Sequence, residues 1–226
     1  MERLNIKISK NINIIDYKFD NVYFINGTAY AGKSTMVKML AEKYNGILCE
    51  ENYHNEYLDL LDKNDFPGLT YTRDLKEWRD FVVRTPDEYE KWIDITSLEC
   101  AILELQILNE IKNTDKKIFV DTNIPVEMLE KIVDKDHVLI MLADPEISVT
   151  RFFERPDREK QFLYRLLLNE ENAEKALDNF RNCLKRINNK ERYNKFLNSG
   201  FNVLLRDEER TLDETLELVE KMFKLK

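Results

Sequence analysis

The stretch VYFINGTAYAGKSTMVKML, residues 22–40, decides the fold. Its first five residues are nearly all apolar or aromatic, as is typical of a strand that is covered on both faces. Behind it, Met36, Val37 and Leu40 recur at helical spacing. A buried strand, a short loop and an amphipathic helix in this order form the first unit of an α/β domain with a parallel sheet.

The loop inside this stretch, from Gly27 to Ser34, fits the pattern G-x-x-x-x-G-K-[ST] in full. Its glycines let backbone N–H groups turn inward, and the helix that follows adds a partial positive charge. We expect Lys33 to reach the terminal phosphates of a nucleotide and Ser34 to bind magnesium. The alternative is a turn that only joins strand to helix. The expected nucleotide contacts come from Gly27, Ala31, Gly32, Lys33, Ser34 and Thr35.

The rest of the chain alternates strand and helix patterns. Four more short apolar segments predict strands at residues 46–51, 117–122, 137–143 and 201–206. Helical periodicity predicts helices at about 86–111, 173–187 and 212–223. These elements predict one α/β domain over residues 1–226, with a five-stranded parallel sheet in a three-layer αβα arrangement. Alternating apolar and polar residues at 4–19 predict a strand pair inside an N-terminal extension, residues 1–20.

Composition excludes several classes of partner. The chain of 226 residues carries 43 acidic and 35 basic side chains, a net charge of -8. This field repels nucleic acids and anionic membranes, so we expect neither as a partner. No apolar run approaches the roughly 20 residues that would span a bilayer, and we expect a cytoplasmic protein.

The cysteines and histidines indicate no metal site. Cys49, Cys100 and Cys183 are widely spaced and odd in number, which favours reduced, buried thiols. His54 and His137 are isolated in the sequence and are expected to be ordinary polar or core residues.

Other parts of the sequence separate the classes of phosphate-loop proteins. A GTPase needs an Asn-Lys-x-Asp type signature, and the nearest string, NNKE at 188–191, falls in a predicted helix. An AAA-type ATPase carries an acidic pair after its second key strand, whereas the strand KIFV ends in the single acid Asp121. Small-molecule kinases remain.

From residue 22 to about residue 225, the chain resembles the P-loop nucleoside and nucleotide kinases, which include adenylate, shikimate and deoxynucleoside kinases. The segment ADPEISVTRFFERPDREK, residues 143–160, resembles the start of that family's arginine lid. The resemblance implies a lid at 151–168, with Arg151 against the adenine and with Arg155 and Arg158 over the transferring phosphates. Mobile guanidinium groups suit this task, because they neutralise charge on the phosphoryl oxygens. The alternative is a solvated amphipathic helix.

The segment KIFVDTNIP resembles the family strand that ends in an acid close to the phosphate loop. The resemblance implies that Asp121 holds magnesium through water or orients the acceptor. Thr122, Asn123 and Val126 depart from the adenylate kinase pattern of glycine, aromatic and basic residues. The alternative role for Asp121 is a helix N-cap.

The acceptor side is expected at residues 50–95. In deoxynucleoside kinases a carboxylate after the second strand takes the proton of the acceptor hydroxyl, which implies Glu51, or else Glu50, as the base. Both could instead be surface acids. Aromatic and arginine residues interleave downstream and suit a flat or anionic acceptor, although aromatics at this density also form cores. The expected acceptor contacts are Glu50, Tyr53, Arg73, Trp78, Arg79 and Arg84.

The sequence thus predicts a kinase that uses ATP and Mg²⁺ and transfers the γ-phosphoryl group to a small molecule, with a nucleoside or nucleotide as the first choice. Lys33, Asp121, Glu51, Arg155 and Arg158 are the expected catalytic residues, and Ser34 and Asp121 the expected metal ligands. The alternatives are a kinase for a non-nucleotide acceptor, such as a shikimate-like compound, an antibiotic or a sugar, and a non-catalytic nucleotide-dependent switch.

Overall fold

Five parallel strands form the central sheet of the computed structural model, which describes residue 4, residues 6–154 and residues 158–225. Their order across the sheet is β2-β3-β1-β4-β5. All five strands lie within the predicted segments or one residue beyond, so the predicted α/β class and the parallel sheet are confirmed. The strands are β1 (Val22–Gly27), β2 (Ile47–Cys49), β3 (Ile118–Asp121), β4 (Val138–Leu142) and β5 (Asn202–Leu205).

Helices connect the strands and cover both faces of the sheet. Short 3₁₀ segments occur at Ile14–Asp16, Tyr53–Leu60, Lys135–His137 and Phe152–Glu154. The α-helices of the described residues are α1 (Lys33–Lys43), α2 (Pro67–Asp74), α3 (Arg79–Val82), α4 (Pro86–Ile111), α5 (Val126–Ile132), α6 (Pro145–Thr150), α7 (Arg158–Leu168), α8 (Ala173–Ile187), α9 (Lys190–Leu197) and α10 (Leu212–Met222).

Each face of the sheet has its own apolar core. On one face, the side chains of alternate strand residues pack against α4, α5 and α9. On the other face they pack against α1 and α10. The central strands β1, β3 and β4 are therefore buried on both sides, which explains why their sequences are continuous apolar runs and not alternating ones.

The strand connections define the place where a ligand can bind. The helix that follows β1, α1, lies on one face of the sheet, whereas the helix that follows the neighbouring strand β3, α5, lies on the other. A crevice opens between the carboxyl ends of two such strands, and open α/β sheets bind ligands there. In the register of this pair, Ile25 is opposite Asp121, so Asp121 lies next to the start of the loop after β1.

Helix α4 reaches well beyond the sheet. A capping box of Thr85 and Glu88 and a proline at its first position, Pro86, fix its start. Its 26 residues are about 39 Å long at 1.5 Å per residue, whereas β3 has only 4 residues. Because α4 runs antiparallel to β3, its amino-terminal half projects past the carboxyl edge of the sheet.

The predicted N-terminal strand pair is wrong, since no described residue before β1 is in a strand. This segment is an extended strap over α4 and the 3₁₀ segment after β2. The Ser9 amide donates to Oε1 of Gln106 at 2.8 Å and the Leu4 amide to the hydroxyl of Tyr57 at 3.1 Å. The strap's own apolar residues Leu4 and Ile6 pack against a buried cluster that includes Tyr57 and Leu103. The alternation of apolar and polar residues in this segment therefore reflects burial of one side against helices and not pairing between strands.

Two absences apply to the described part of the chain. None of its helices combines the length and the apolar character that crossing a membrane requires. Its histidine, cysteine and acidic side chains form no group of three that could hold a metal ion. Cys49, Cys100 and Cys183 are all free and buried, as predicted.

Candidate functional site

The loop from Gly27 to Gly32 depends on backbone conformations that favour glycine. Gly27 has φ 130° and Gly32 has φ 91°. A Cβ on Gly27 would lie 1.9 Å from the carbonyl oxygen of Met141 on β4, far inside van der Waals contact. Tyr30 also has a positive φ, 64°. The chain therefore turns away from β1 in a way that a side chain at residue 27 would block.

The loop delivers the chain to an uncapped helix N-terminus. Gly32 is the N-cap of α1 and has no side chain to offer. The amides of Lys33, Ser34 and Thr35 are the first in the helix, so they have no intrahelical acceptor. Free N–H groups and the positive end of the helix dipole face the same point, and such a point attracts anions, phosphate above all.

Thr28 fastens the loop to the neighbouring strand. Its amide donates to the carbonyl of Met141 at 3.1 Å, and its hydroxyl accepts from the amide of Ala143 at 2.7 Å. These bonds hold the start of the loop against the end of β4. The motif allows any residue at this position, so the sequence did not indicate this role.

Three predicted residues meet beside this N-terminus. The Ser34 hydroxyl donates to Oδ2 of Asp121 at 2.6 Å. The ammonium group of Lys33 donates to the Thr28 carbonyl at 3.2 Å and lies 3.9 Å from Oδ1 of Asp121. Lysine, serine and aspartate thus surround one point in the crevice between β1 and β3.

The carboxylate of Asp121 is buried, and its neighbours offset the cost of burying its charge only in part. Only 2% of its surface is exposed. Burial raises its pKa above the ordinary value, Lys33 and Ser34 oppose this rise, and the charges of Glu51 and Glu104 add to it. A cation at this place would relieve the unfavourable charge. The donor set, a hydroxyl and a carboxylate, is one that Mg²⁺ uses beside phosphates.

Glu50 and Glu51 lie in the turn directly after β2, and both are exposed. Because β2 and β3 are parallel neighbours, their carboxyl ends share one edge of the sheet. Glu51 is close enough to Asp121 to affect its pKa. An exposed carboxylate at the rim of the crevice has the access that a proton acceptor needs.

A cavity of about 240 Å³ adjoins the loop on the side of β5. Arg206, at the end of β5, donates to the carbonyl of Tyr30, and the Tyr30 hydroxyl donates to the carbonyl of Arg151. Arg151 is itself exposed. These bonds bring Arg151 next to the loop. The cavity is lined by Ala31, Gly32, Thr35, Leu205, Arg206 and Leu212, among others.

The remaining lid residues are placed only in part. Arg155 lies outside the described residues. Arg158 is exposed in the first turn of α7, and within the described part of the chain it makes no ion pair. Helix α7 packs on the predicted acceptor region: Phe162 meets the ring of Trp78 edge to face, with 5.4 Å between centroids.

Most of the predicted acceptor contacts have other partners. Arg73 donates to the carbonyls of Leu58 and Leu61 and pairs with Asp74. Arg79 pairs at 3.0 Å with Glu170, two residues after the end of α7. These arginines hold the region together.

Tyr53 directs its hydroxyl into the interior. The hydroxyl oxygen is buried and lacks a hydrogen-bond partner among the described residues. Burial raises the Tyr53 pKa well above its ordinary value, and the charge of Glu104 adds to this. The polar end of this side chain therefore faces the protein and not an open pocket.

Arg84 occupies an aromatic cage. Its guanidinium carbon lies 3.9 Å from the ring centre of Tyr71, 5.1 Å from Phe81 and 5.3 Å from Trp92. One guanidinium nitrogen is buried without a hydrogen-bond partner among the described residues. An open cavity of about 570 Å³ adjoins it, lined by Pro67, Gly68, Tyr71, Arg84, Trp92 and Ile95, among others. The lining also includes Asp80, Glu88 and Lys91, so it carries charges of both signs. The aromatic faces of Tyr71 and Trp92 suit a flat molecule.

Sequence reasoning missed several residues around the loop, namely Asn26, Thr28, Tyr30, Glu104, Thr122 and Arg206. Arg206 ends a predicted strand, and the carboxyl ends of parallel strands share an edge, so the pattern contained a signal for it. Comparison with protein-family models found no match, and comparison with curated proteins found no similar sequence.

Proposed function

We propose that this chain is a kinase that binds ATP and Mg²⁺ and transfers the γ-phosphoryl group to a small molecule, with a nucleoside or nucleotide as the first choice of acceptor. The observation that carries the proposal is the meeting of an uncapped helix N-terminus with Lys33 and the Ser34–Asp121 pair, in the crevice between β1 and β3. Phosphate donors, a cation and a metal-type ligand pair are the three parts that phosphoryl transfer requires.

Each part has one task in the proposed reaction. The amides of Lys33 and Ser34 bind the phosphate chain, and the Lys33 ammonium neutralises charge on the terminal phosphate. Ser34 and Asp121 are the residues that would hold Mg²⁺, which supplies further neutralisation when bound. The acceptor oxygen forms a bond to the γ-phosphorus, and the bond between that phosphorus and the β-phosphate oxygen breaks. Glu51 takes the proton of the acceptor hydroxyl.

The two cavities support an assignment of the substrates. The cavity beside Ala31 and Arg206 adjoins the phosphate loop, and it would take the base and ribose of the nucleotide. The cage around Arg84 lies in the predicted acceptor region and would take a planar acceptor. The long helix α4, which carries Trp92, holds the second cavity beyond the carboxyl edge of the sheet.

The test is transfer of labelled γ-phosphate from ATP to a panel of acceptors: nucleosides, nucleoside monophosphates, sugars, aminoglycosides and hydroxylated ring acids. We expect one class to be phosphorylated and Lys33→Met to lower turnover by at least about 1,000-fold with the fold intact. Lys38→Met is the matched control, because Lys38 is exposed on the same helix.

Calorimetry separates the outcomes. Folded wild-type chain that takes up neither ATP nor GTP in the presence of Mg²⁺ would overturn the proposal. Binding of ATP without transfer to any member of the panel would favour the nucleotide-dependent switch instead. Phosphorylation of a sugar or ring acid would keep the kinase and change the acceptor class.

A further inference from the structure

A buried glutamate lies directly behind the crevice and has no role in the reaction as proposed. Glu104, on α4, has no exposed surface. One carboxylate oxygen accepts a hydrogen bond of 2.6 Å from the hydroxyl of Thr122, and the other lies 3.3 Å from Nδ1 of His54. His54 in turn lies 3.3 Å, through Nε2, from the Sγ of Cys100. Four polar side chains from three segments therefore meet inside the protein.

Burial of a carboxyl group at this place is costly, and stability alone does not require it. A polar group that is removed from water loses its hydrogen bonds to water, and well-packed apolar residues often replace buried polar or ionic groups without loss of stability. The flanking residues Leu103 and Leu105 are fully buried and apolar, so this part of the helix also accommodates apolar side chains in the core. A buried polar side chain in such surroundings is expected to fix a particular geometry.

The bonds that begin at Glu104 continue to the phosphate loop. The Thr122 hydroxyl, which donates to Glu104, accepts from the amide of Ile124 at 3.0 Å. The carbonyl of Ile124 accepts from Nδ2 of Asn26 at 2.7 Å, and Oδ1 of Asn26 accepts from the amide of Gly27 at 2.6 Å. A continuous series of hydrogen bonds thus joins α4 to the first residue of the loop.

The same series passes beside the proposed metal ligand. Thr122 directly follows Asp121, and its own amide donates to the Ile25 carbonyl at 3.1 Å. Because Thr122 adjoins Asp121, bonds that hold Thr122 also restrain the backbone from which the Asp121 carboxylate projects. On its other side, Glu104 contacts His54, three residues after Glu51. One carboxylate touches the segments that carry both acids of the proposed site.

We propose that Glu104 is a positioning residue: through Thr122, Ile124 and Asn26 it sets the start of the phosphate loop and the direction of Asp121. This role rests on the proposed function. A phosphoryl acceptor and donor react only within a narrow range of positions, so a loosened loop lowers turnover more than it lowers ground-state binding of ATP.

The experiment compares Thr122→Val, which keeps the shape but removes the hydroxyl, with Thr122→Ser, which keeps the hydroxyl. Amide hydrogen exchange by NMR, without nucleotide, reports the series directly. We expect Thr122→Val to speed exchange at Ile124 and Gly27 at least about 10-fold relative to Val219 on α10, whose rate monitors global unfolding. Thr122→Ser should exchange like the wild type. Unchanged exchange at Gly27 in Thr122→Val would overturn the proposal.

Kinetics supply the second readout. We expect kcat to fall at least about 10-fold in Thr122→Val and in Glu104→Gln, with the KM for ATP within about 3-fold, and to recover in Thr122→Ser. Glu110→Gln, an exposed position on the same helix, is the control. A kcat that falls equally in the valine and serine variants would overturn the role.

The result that would reject the proposed kinase function differs from the result that would reject the role of Glu104. Wild-type chain that binds no ATP would end the kinase proposal, and the exchange comparison would still decide the structural link. Faster exchange at Gly27 in Thr122→Val would then support the series of bonds from Glu104, and unchanged exchange would overturn it.

Discussion

The Ser34 hydroxyl and the Asp121 carboxylate, 87 positions apart in the chain, are joined by a hydrogen bond of 2.6 Å. The parallel pairing of β1 with β3 creates this contact, because it places the ends of both strands at one edge of the sheet. Ser34 lies in the first turn of α1 on one face of the sheet, and Asp121 ends the neighbouring strand. Their meeting therefore follows from topology and not from sequence proximity.

Asp121→Asn is expected to stabilise the protein at neutral pH in buffer without divalent metal ions. Burial raises the pKa of Asp121 above its ordinary value of 3.8, so ionisation costs the folded state free energy. That cost is absent at pH values below 3.8 and complete above the raised pKa. The free energy of unfolding of the variant should rise by about 0.5–2 kcal/mol near pH 7, the usual range for a single stabilising substitution.

Urea denaturation from pH 3 to pH 8 measures this gain, which should vanish at the acid end. Asp115→Asn, at an exposed position, is the control and should change little at any pH. A variant less stable than the wild type at pH 7 would show that Asp121 is adequately compensated in the fold.

Gly27→Ala is expected to be far more destabilising than Gly200→Ala. Both glycines have positive φ, 130° and 77°, so both alanines are strained. At Gly200 the added Cβ meets only the flexible end of Lys135, at 3.4 Å. The free energy of unfolding should fall there by about 1 kcal/mol. At Gly27 the added Cβ meets a backbone carbonyl at 1.9 Å, and we expect more than about 3 kcal/mol.

Unfolding free energies from urea titrations test this difference. Equal costs at the two positions would mean that β4 can move away from the loop. That result would also weaken the view of the loop as a rigid cradle, because its start would then be adaptable.

The strands of the sheet were predictable because burial of a strand on both faces produces a continuous apolar run in the local sequence. Continuous apolar runs such as residues 138–142 can be recognised without knowledge of their neighbours. The residues of the glycine loop were predictable for the same reason, since a motif of eight residues contains them all.

Contacts between distant segments were not predictable. The bond from Thr122 to Glu104 depends on the rotation of α4, and the bond from Arg206 to Tyr30 depends on the order of β4 and β5 in the sheet. The predicted strand pair before β1 was wrong for a related reason. Alternation of apolar and polar residues shows that one side of a segment is buried, but it does not show whether a strand or a helix covers that side.

Glu99→Ala is expected to cost about 1–3 kcal/mol, the price of leaving buried donors unpaired. The Glu99 carboxylate accepts from the amides of Gly68 and Leu69 at 3.1 and 2.8 Å. It thus caps α2, whose own N-cap residue, Phe66, cannot do so. Urea denaturation measures the loss, and Glu110→Ala on the same helix should stay within about 0.5 kcal/mol of the wild type. Similar losses in both variants would assign the effect to α4 itself.

Arg84→Lys is expected to disturb the aromatic cage although it conserves charge. The planar guanidinium stacks on Tyr71 at 3.9 Å, and a compact ammonium group cannot reproduce that contact. The loss should be about 0.5–1 kcal/mol in unfolding free energy, with a shift in the fluorescence of Trp92. If the cage binds the acceptor, KM for the acceptor should rise about 10-fold while KM for ATP stays unchanged. Arg181→Lys, exposed on α8, is the matched control. A KM change for ATP instead would place Arg84 in the nucleotide site and contradict the assignment of the two cavities.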